Sequence, residues 1–290
     1  MFRLSQGQLN LLETCPRKFQ YSYLEQLAAP ATPEQQASMA WGKRFHLLMQ
    51  QRELGLPVES LISKEAELGR CLESLRTAVP EIFPTTLSTS QTFRESEHCR
   101  TLNISGYLLT VVYDLLILDD LDAQVLDWKT YPRPQNPARL GKNWQTRLYP
   151  FVLAETSEYL PEQISMTYWF VQSQASQTDK PEPQSLKFAY SEAQHQRTKA
   201  ILSKLLRQVT DWLQDYQAGI PFPQVPETSP LCKSCQFAVR CQRTKGPLSA
   251  SRHHLLSLAE IPEVSMCSAC AIRTTHRTSL CDSSERLSFN

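Results

Sequence analysis

Hydrophobic residues form one continuous run in this chain and recur periodically along most of the rest. Tyr107–Leu118 is an almost unbroken series of apolar and β-branched residues, and a shorter series follows at 124–129. The acidic cluster at 119–122 between them is typical of a turn. The pattern predicts a β-hairpin over residues 106–129, and we expect the rest of the sheet to be built around it.

Elsewhere, apolar spacing of three or four residues predicts helices, and short apolar runs between turn signals predict strands. Helix boundaries are marked by capping patterns, prolines and glycines. The predicted helices are residues 5–15, 17–27, 35–53, 60–79 and 191–219, and the predicted further strands are 92–104, 164–172 and 186–190. These elements predict one α/β domain over residues 1–245, with a mixed central sheet of four to five strands flanked by helices.

The predicted hairpin brings two carboxylates together. If it folds symmetrically about its turn, Asp114 lies opposite Asp127, and like charges in this arrangement repel. Lys129 shares the face of Asp127 because side chains alternate along a strand. A divalent metal with oxygen ligands would relieve the repulsion. A register shift of one residue would separate the two aspartates, so the hairpin alone leaves both possibilities open.

Composition limits the functional classes. The chain has 290 residues and a formal net charge of +1, so affinity for nucleic acid would have to come from local clusters of charge. No early apolar run is long enough for a signal peptide or a membrane span. Nine cysteines without a secretory signal favour metal ligation or free thiols over disulfides. We therefore expect a cytoplasmic protein that does not associate with membranes.

A basic and aromatic segment follows the hairpin. From Lys129 to Arg147 there are five basic residues and no acidic one. Basic side chains can follow phosphates while aromatic rings stack on bases, although such runs also occur as plain solvated loops. The candidate nucleic-acid-binding residues are Arg133, Arg139, Lys142, Trp144 and Arg147.

The cysteines near the end of the chain have the spacing of a metal site. Cys232, Cys235 and Cys241 supply three thiolates, and either a zinc ion or an iron–sulfur cluster requires a fourth ligand. Beyond residue 246 the composition is rich in Ser, Arg, His and Cys without periodicity, which predicts a disordered tail over 246–290. A second metal site in this tail is the alternative, formed by Cys267, Cys270, Cys281 and His276.

Several motifs together resemble the PD-(D/E)XK nuclease superfamily, in its RecB-like or AddB-like branch with a C-terminal iron–sulfur cluster. The resemblance extends from residue 4 to residue 241. The motifs occur in the order of that family: Cys15-Pro16-x-x-Phe19, Gly42-x-x-x-His46, Asp114, Asp127-Trp128-Lys129, Gln145-x-x-x-Tyr149 and the three late cysteines. It implies a restriction-endonuclease-like core with a helical cap, joined by a metal cluster.

The resemblance also implies roles for individual residues. Lys129 would orient or help to deprotonate the attacking water, and a helix carrying Gln145 and Tyr149 would position DNA and the metal ligands. Pro150 is expected to kink that helix and to bias Tyr149 away from helical geometry. The implied ligands of Mg²⁺ or Mn²⁺ are His46, Asp114, Asp127 and a glutamate of the preceding strand, Glu97 or alternatively Glu95.

By the same resemblance, Cys15 is the fourth ligand of a structural 4Fe–4S cluster with Cys232, Cys235 and Cys241, with zinc as the alternative. The implied function is metal-dependent cleavage of DNA in repair or recombination, on DNA that is single-stranded or has free ends. Because no helicase motif is present, unwinding would need a separate helicase. The alternatives are an inactive nuclease fold that binds DNA or a partner, and a zinc-bound scaffold.

Overall fold

A computed structural model describes residues 1–28, 30–63, 65–83, 92–171 and 183–243. Its centre is a mixed six-stranded sheet, so the predicted fold class is confirmed. The strands are β1 (Phe2–Leu4), β2 (Phe93–Ile104), β3 (Tyr107–Leu118), β4 (Ala123–Lys129), β5 (Ile164–Phe170) and β6 (Gln184–Ala189). The strand that was not predicted is β1, because a segment of three residues is too short to show the alternation of apolar and polar residues typical of a strand.

Strand β3 lies at the middle of the sheet because three strands pair with it. Strand β2 is antiparallel to β3 along its whole length. The other edge of β3 is shared: β1 runs parallel to its beginning, and β4 runs antiparallel to its end. Strand β5 continues the sheet parallel to β4, and β6 closes it antiparallel to β5.

Helices cover both faces of this sheet. The long helices α3 and α8 begin and end close to the predicted residues, and the left-handed Gly219 follows the end of α8. The prediction of one helix over 60–79 is wrong, since that segment contains two separate helices. The helices are α1 (Gln6–Thr14), α2 (Pro16–Phe19), α3 (Pro33–Glu53), α4 (Glu59–Ile62), α5 (Ala66–Ala78), α6 (Pro137–Gly141), α7 (Trp144–Glu155) and α8 (Glu192–Gln217), with a π-helical turn at Gln20–Leu24.

Each face of the sheet has its own hydrophobic core. Helix α3 places Phe45 and Leu48 in one core, together with Leu115 and Leu126 of the hairpin. Helices α1, α7 and α8 contribute to the other core, which also contains Tyr113 of β3. Among the helices within the described residues, none is long and apolar enough to cross a lipid bilayer.

The segment after α8 returns to the first helices. The backbone N–H of Arg17 donates to Pro223 O at 3.1 Å, and Arg17 Nε donates to Phe222 O at 2.6 Å. The N–H of Phe222 donates to Gln20 Oε1 at 2.7 Å. Hydrogen bonds within the chain therefore hold the first helices and the segment after α8 together. The predicted tail, with its cysteines and His276, lies outside the described residues.

Candidate active site

The hairpin has the predicted register at its closed end. Its turn is held by the Asp119 N–H, which donates to Asp122 O at 3.0 Å. The last regular rung pairs Leu115 with Leu126, and the next rung in the same register would pair Asp114 with Asp127. The two aspartates are therefore brought to the same level of the sheet.

The strands separate at this level. The N–H of Trp128 does not continue the ladder but donates to Asp114 Oδ2 at 2.7 Å. Strand β4 instead keeps its parallel pairing with β5, where Asp127 lies opposite Tyr168. The Asp114 carboxylate therefore lies between β3 and β4. It accepts the hydrogen bond from the Trp128 N–H that a backbone carbonyl would accept in a regular ladder.

Asp127 belongs to a buried polar group on the side of α7. Lys129 Nζ lies 2.8 Å from Asp127 Oδ1, and Gln145 Nε2 donates to Asp127 Oδ2 at 2.6 Å. Helix α7 presents Gln145 at its first turn, where Asn143 accepts from the Gln145 N–H. All three polar side chains are almost fully buried. The low dielectric around them makes this ion pair and its hydrogen bond strong constraints on geometry.

Asp114 belongs to a second group on the side of α3. One ligand atom each from His46, Glu97 and Asp114 lie within 4.8 Å of one another. His46 Nδ1 lies 3.4 Å from Asp114 Oδ1. A cation with bonds of about 2.1 Å holds its ligands roughly 3–4 Å apart. A small contraction would therefore let one ion contact all three, and the two carboxylates are donors that suit Mg²⁺ or Mn²⁺.

The pKa values of the two carboxyl groups in this second group are shifted in opposite directions. Burial raises the pKa of Glu97 to about 7, and the neighbouring Asp114 carboxylate acts in the same direction. Burial also acts to raise the pKa of Asp114, but the charge and hydrogen bond of His46, together with the Lys129 charge and the Trp128 N–H, outweigh it and leave that pKa below its usual value. The Asp114 carboxylate thus opposes ionisation of Glu97, as expected where a cation binds.

The predicted ligands separate into two sets. His46, Asp114 and Glu97 come together, whereas the Asp127 carboxylate is engaged by Lys129 and Gln145. The alternative glutamate, Glu95, is exposed and lies 2.6 Å from a histidine of its own strand. Of the two glutamates, Glu97 is the one within the group.

Two tyrosines lie near the buried group of Asp127, Lys129 and Gln145, and only one of them was predicted from the sequence. Tyr149 is buried, and α7 continues through Pro150; the Tyr149 carbonyl accepts a hydrogen bond from Tyr113 at 3.1 Å. Tyr168, which the sequence analysis missed, places its ring 5.6 Å from Lys129 Nζ and exchanges a hydrogen bond with Thr146. No motif marks Tyr168, and only the β4–β5 register brings it beside Asp127.

The basic and aromatic segment is not uniformly available to a ligand. Trp144 is completely buried, so this structure leaves its ring no exposed face on which a base could stack. The Arg147 guanidinium lies over the Trp144 ring at 4.1 Å and contacts Glu13 at 2.6 Å. Arg133, Arg139 and Lys142 are exposed.

The predicted cluster cysteines are half-buried and free of disulfides. Burial raises the pKa of Cys241, and the neighbouring thiols of Cys15 and Cys235 act in the same direction. Cys15 therefore lies close enough to the late cysteines to influence one of them electrostatically, although it is more than two hundred residues away in sequence.

Two comparisons with known proteins found similarity to this chain. A model of the PD-(D/E)XK nuclease superfamily matches residues 3–242. The crystal structure of a candidate exonuclease from Eubacterium rectale is similar over 85% of this chain and 91% of its own, with a TM-score of 0.50 and 9% identity, which shows a shared fold alone. The crystal structure of SSO0001 covers 82% of this chain and 85% of its own at 15% identity, and its TM-score of 0.35 is too low to support an argument. None of the curated proteins matches the chain in sequence.

Proposed function

The chain belongs to the PD-(D/E)XK nuclease superfamily, and from this premise we propose that it is a Mg²⁺- or Mn²⁺-dependent deoxyribonuclease that hydrolyses phosphodiester bonds. The observation that carries the proposal is the group formed by His46, Glu97 and Asp114 beside the buried pair of Asp127 and Lys129. A metal-ligand set next to a fixed ammonium is suited to attack by water on a phosphate.

In this proposal each side chain has a definite task. His46, Glu97 and Asp114 would hold the ion, and Asp127, at the same level of the sheet as Asp114, would contact it through its carboxylate. When bound, the ion neutralises charge on the phosphate and lowers the pKa of water. Asp127 fixes Lys129 Nζ in place, so that its N–H groups can orient the water and the phosphate oxygens. Gln145 holds Asp127 from the opposite side.

We further propose that the chain belongs to the RecB-like branch and carries a 4Fe–4S cluster on Cys15, Cys232, Cys235 and Cys241. The four cysteines are half-buried and free of disulfides, and the pKa of Cys241 is raised by burial and by the thiols of Cys15 and Cys235. This proximity supports a four-thiolate site. A 4Fe–4S cluster would bind each thiolate to a different iron, and a tetrahedral zinc ion is the alternative.

The proposed substrate is DNA that is single-stranded or has free ends, handled in the cytoplasm during repair or recombination with a separate helicase to unwind duplexes. The exposed side chains of Arg133, Arg139 and Lys142 support contact with phosphates. The candidate exonuclease with the shared fold makes free-ended DNA the first substrate to test.

The test is degradation of end-labelled DNA in four forms: linear single strands, linear duplex, end-blocked duplex and circles. We expect the linear single strands to be degraded with Mg²⁺ and to survive with a chelator. Asp114→Asn is the matched control, because its amide oxygen still accepts from Trp128 N–H while the charge is lost. Mg²⁺-dependent cleavage by this variant at the parental rate would contradict the assignment, and DNA binding without cleavage by the parent would favour an inactive binding module.

A further inference from the structure

A glycine of α3 touches the segment that leaves the active-site strand. A Cβ atom added at Gly42 would lie 3.0 Å from Thr130 Oγ1. Thr130 directly follows Lys129, the residue that pairs with Asp127. Helix α3 and the residue that follows β4 therefore pack closely here, with the Thr130 hydroxyl facing Gly42.

Gly42 and His46 lie four residues apart on α3, so they face the same direction one turn from each other. His46 Nδ1 is 3.4 Å from Asp114 Oδ1, already at the long end of a polar contact. The contact at Gly42 lies one helical turn from His46, where it can set how closely this part of α3 approaches the hairpin.

Neither side of the contact is free to retreat. Phe45 and Leu48 of α3 are completely buried in the core beneath the helix. The backbone before Thr130 is held by the Val171 N–H, which donates to Lys129 O at 2.7 Å. Thr130 is also β-branched, which restricts rotation about its χ1. A methyl group at Gly42 would therefore have to move the helix by a few tenths of an ångström or turn the threonine.

We propose that Gly42 is a positioning residue: its missing side chain lets α3 contact Thr130 and so sets His46 against Asp114 for metal binding. This inference rests on the proposed function, since it concerns the same metal site. It assigns to Gly42 an effect on metal affinity that acts through His46 and not through any contact of its own with the ion.

The experiment measures Mn²⁺ binding by the decrease of the free-ion signal in electron paramagnetic resonance, without DNA. Binding lost in Asp114→Asn defines the specific site. For Gly42→Ala we expect a dissociation constant about tenfold higher, the lower end of the effect of residues that orient metal ligands. Thr130→Ala removes the hydroxyl, so Gly42→Ala/Thr130→Ala is expected to bind within about twofold of Thr130→Ala alone.

Gly7→Ala is the matched control, because it is the same exchange in a helix and its added Cβ would meet its nearest neighbour only at 4.0 Å. Its affinity should equal that of the parent, and an equal loss there would overturn the inference. Parental affinity in Gly42→Ala, or a loss that Thr130→Ala does not rescue, would also overturn it.

The inference can still be tested if the Gly42→Ala variant fails to fold. If Gly42→Ala does not fold, the double variant must fold and bind like Thr130→Ala, and its failure to do so contradicts the proposal. A parent protein without an Asp114-dependent Mn²⁺ site would instead overturn the proposed function itself. The two failures are therefore distinguishable.

Discussion

Glu97 and Asp114 stand opposite each other on β2 and β3, yet they do not form a regular rung. The pairs on either side, Ser96 with Leu115 and His98 with Tyr113, keep one register across them. Glu97 has a φ of 53°, in the left-handed region. Tyr113 and Leu115 are two residues apart but pack in opposite cores, so the alternation of faces breaks at this rung.

This irregular rung brings both carboxylates to the same place, and it has a measurable cost. Left-handed backbone costs a residue with a Cβ about 1–2 kcal/mol, which glycine avoids. We therefore predict that Glu97→Gly has a free energy of unfolding about 1 kcal/mol higher than Glu97→Ala, measured by urea denaturation without metal.

The control for this prediction is an ordinary position of the same strand. Asn103 pairs regularly with Leu108, where glycine is expected to be less stable than alanine by about 0.5–1 kcal/mol. If the glycine variant is less stable than the alanine variant at position 97 as well as at position 103, the backbone of Glu97 is not strained.

Loss of the Asp114 charge should stop the reaction while leaving the fold intact. Metal ions stabilise phosphoryl transition states by several kcal/mol, so Asp114→Asn should reduce single-turnover cleavage about 10²- to 10³-fold. Its Tm should fall only slightly, because the amide oxygen still accepts from the Trp128 N–H while the attraction between the Asp114 charge and His46 is lost. A much lower Tm with unchanged cleavage would reverse this assignment of roles.

Lys129 should matter to stability as well as to chemistry. Its side chain and that of Asp127 are each 3% exposed. Removing one partner of a buried ion pair leaves an unpaired charge, which costs about 3–5 kcal/mol. Lys129→Met should therefore lower the free energy of unfolding by about 3 kcal/mol in metal-free buffer, and Asp127→Asn/Lys129→Met should recover part of that loss.

A surface pair provides the comparison. Arg44 and Glu65 are 2.9 Å apart but considerably exposed, so Arg44→Met should cost no more than about 1 kcal/mol. If Lys129→Met costs as little as this variant, the buried pair does not contribute as its geometry indicates.

The acid sensitivity of the fold should depend on Glu155 of α7. His195 Nε2 and Lys199 Nζ of α8 lie 2.9 Å and 3.1 Å from its Oε1. Burial acts to raise the pKa of Glu155, but these two hydrogen bonds outweigh it and hold the pKa below its usual value. The ionised carboxylate therefore stabilises the fold above its ordinary pKa, and this contribution is lost as pH falls through the lowered one.

The measurement is urea denaturation of Glu155→Gln and the parent across the acidic range. We expect the variant to be less stable by up to about 1 kcal/mol at pH 7, with the difference shrinking as the solution becomes more acidic. A difference that stays constant with pH would show that the loss does not come from ionisation.

The proposed cluster predicts that Cys15 matters as much as the late cysteines. Cys15→Ser should give a colourless protein without bound iron, in which the first helices are cut early by protease, because all four thiolates are needed to complete the site. Cys99→Ser is the control, since that thiol is exposed and lies on β2. Full iron content in Cys15→Ser together with loss of iron on truncation at Gly246 would place the fourth ligand in the tail.

The sequence predicted the elements well because long runs of apolar residues allow few arrangements. The hairpin register followed from symmetry about the acidic turn, which the Asp119 hydrogen bond bears out. The placement of Asp114 and Asp127 in two different polar groups did not follow from the sequence. A pattern of alternating faces assumes a regular backbone, and the backbone at Glu97 is not regular. The burial of Trp144 was also hidden, since a basic neighbourhood in sequence does not show that α7 turns this ring into the core.

The pairing of β1 has a consequence for the order in which the chain is assembled during synthesis. Phe2 of β1 lies beside Tyr107 of β3, so the first strand must wait until about a hundred further residues have left the ribosome. The hairpin of β3 and β4 pairs locally and can form early, whereas contacts between distant segments form slowly. The cysteines beyond α8 emerge later still, when every residue from His46 to Gln145 is already available. Completion of the proposed cluster, which needs these cysteines, is therefore a late step that follows synthesis of every strand of the sheet.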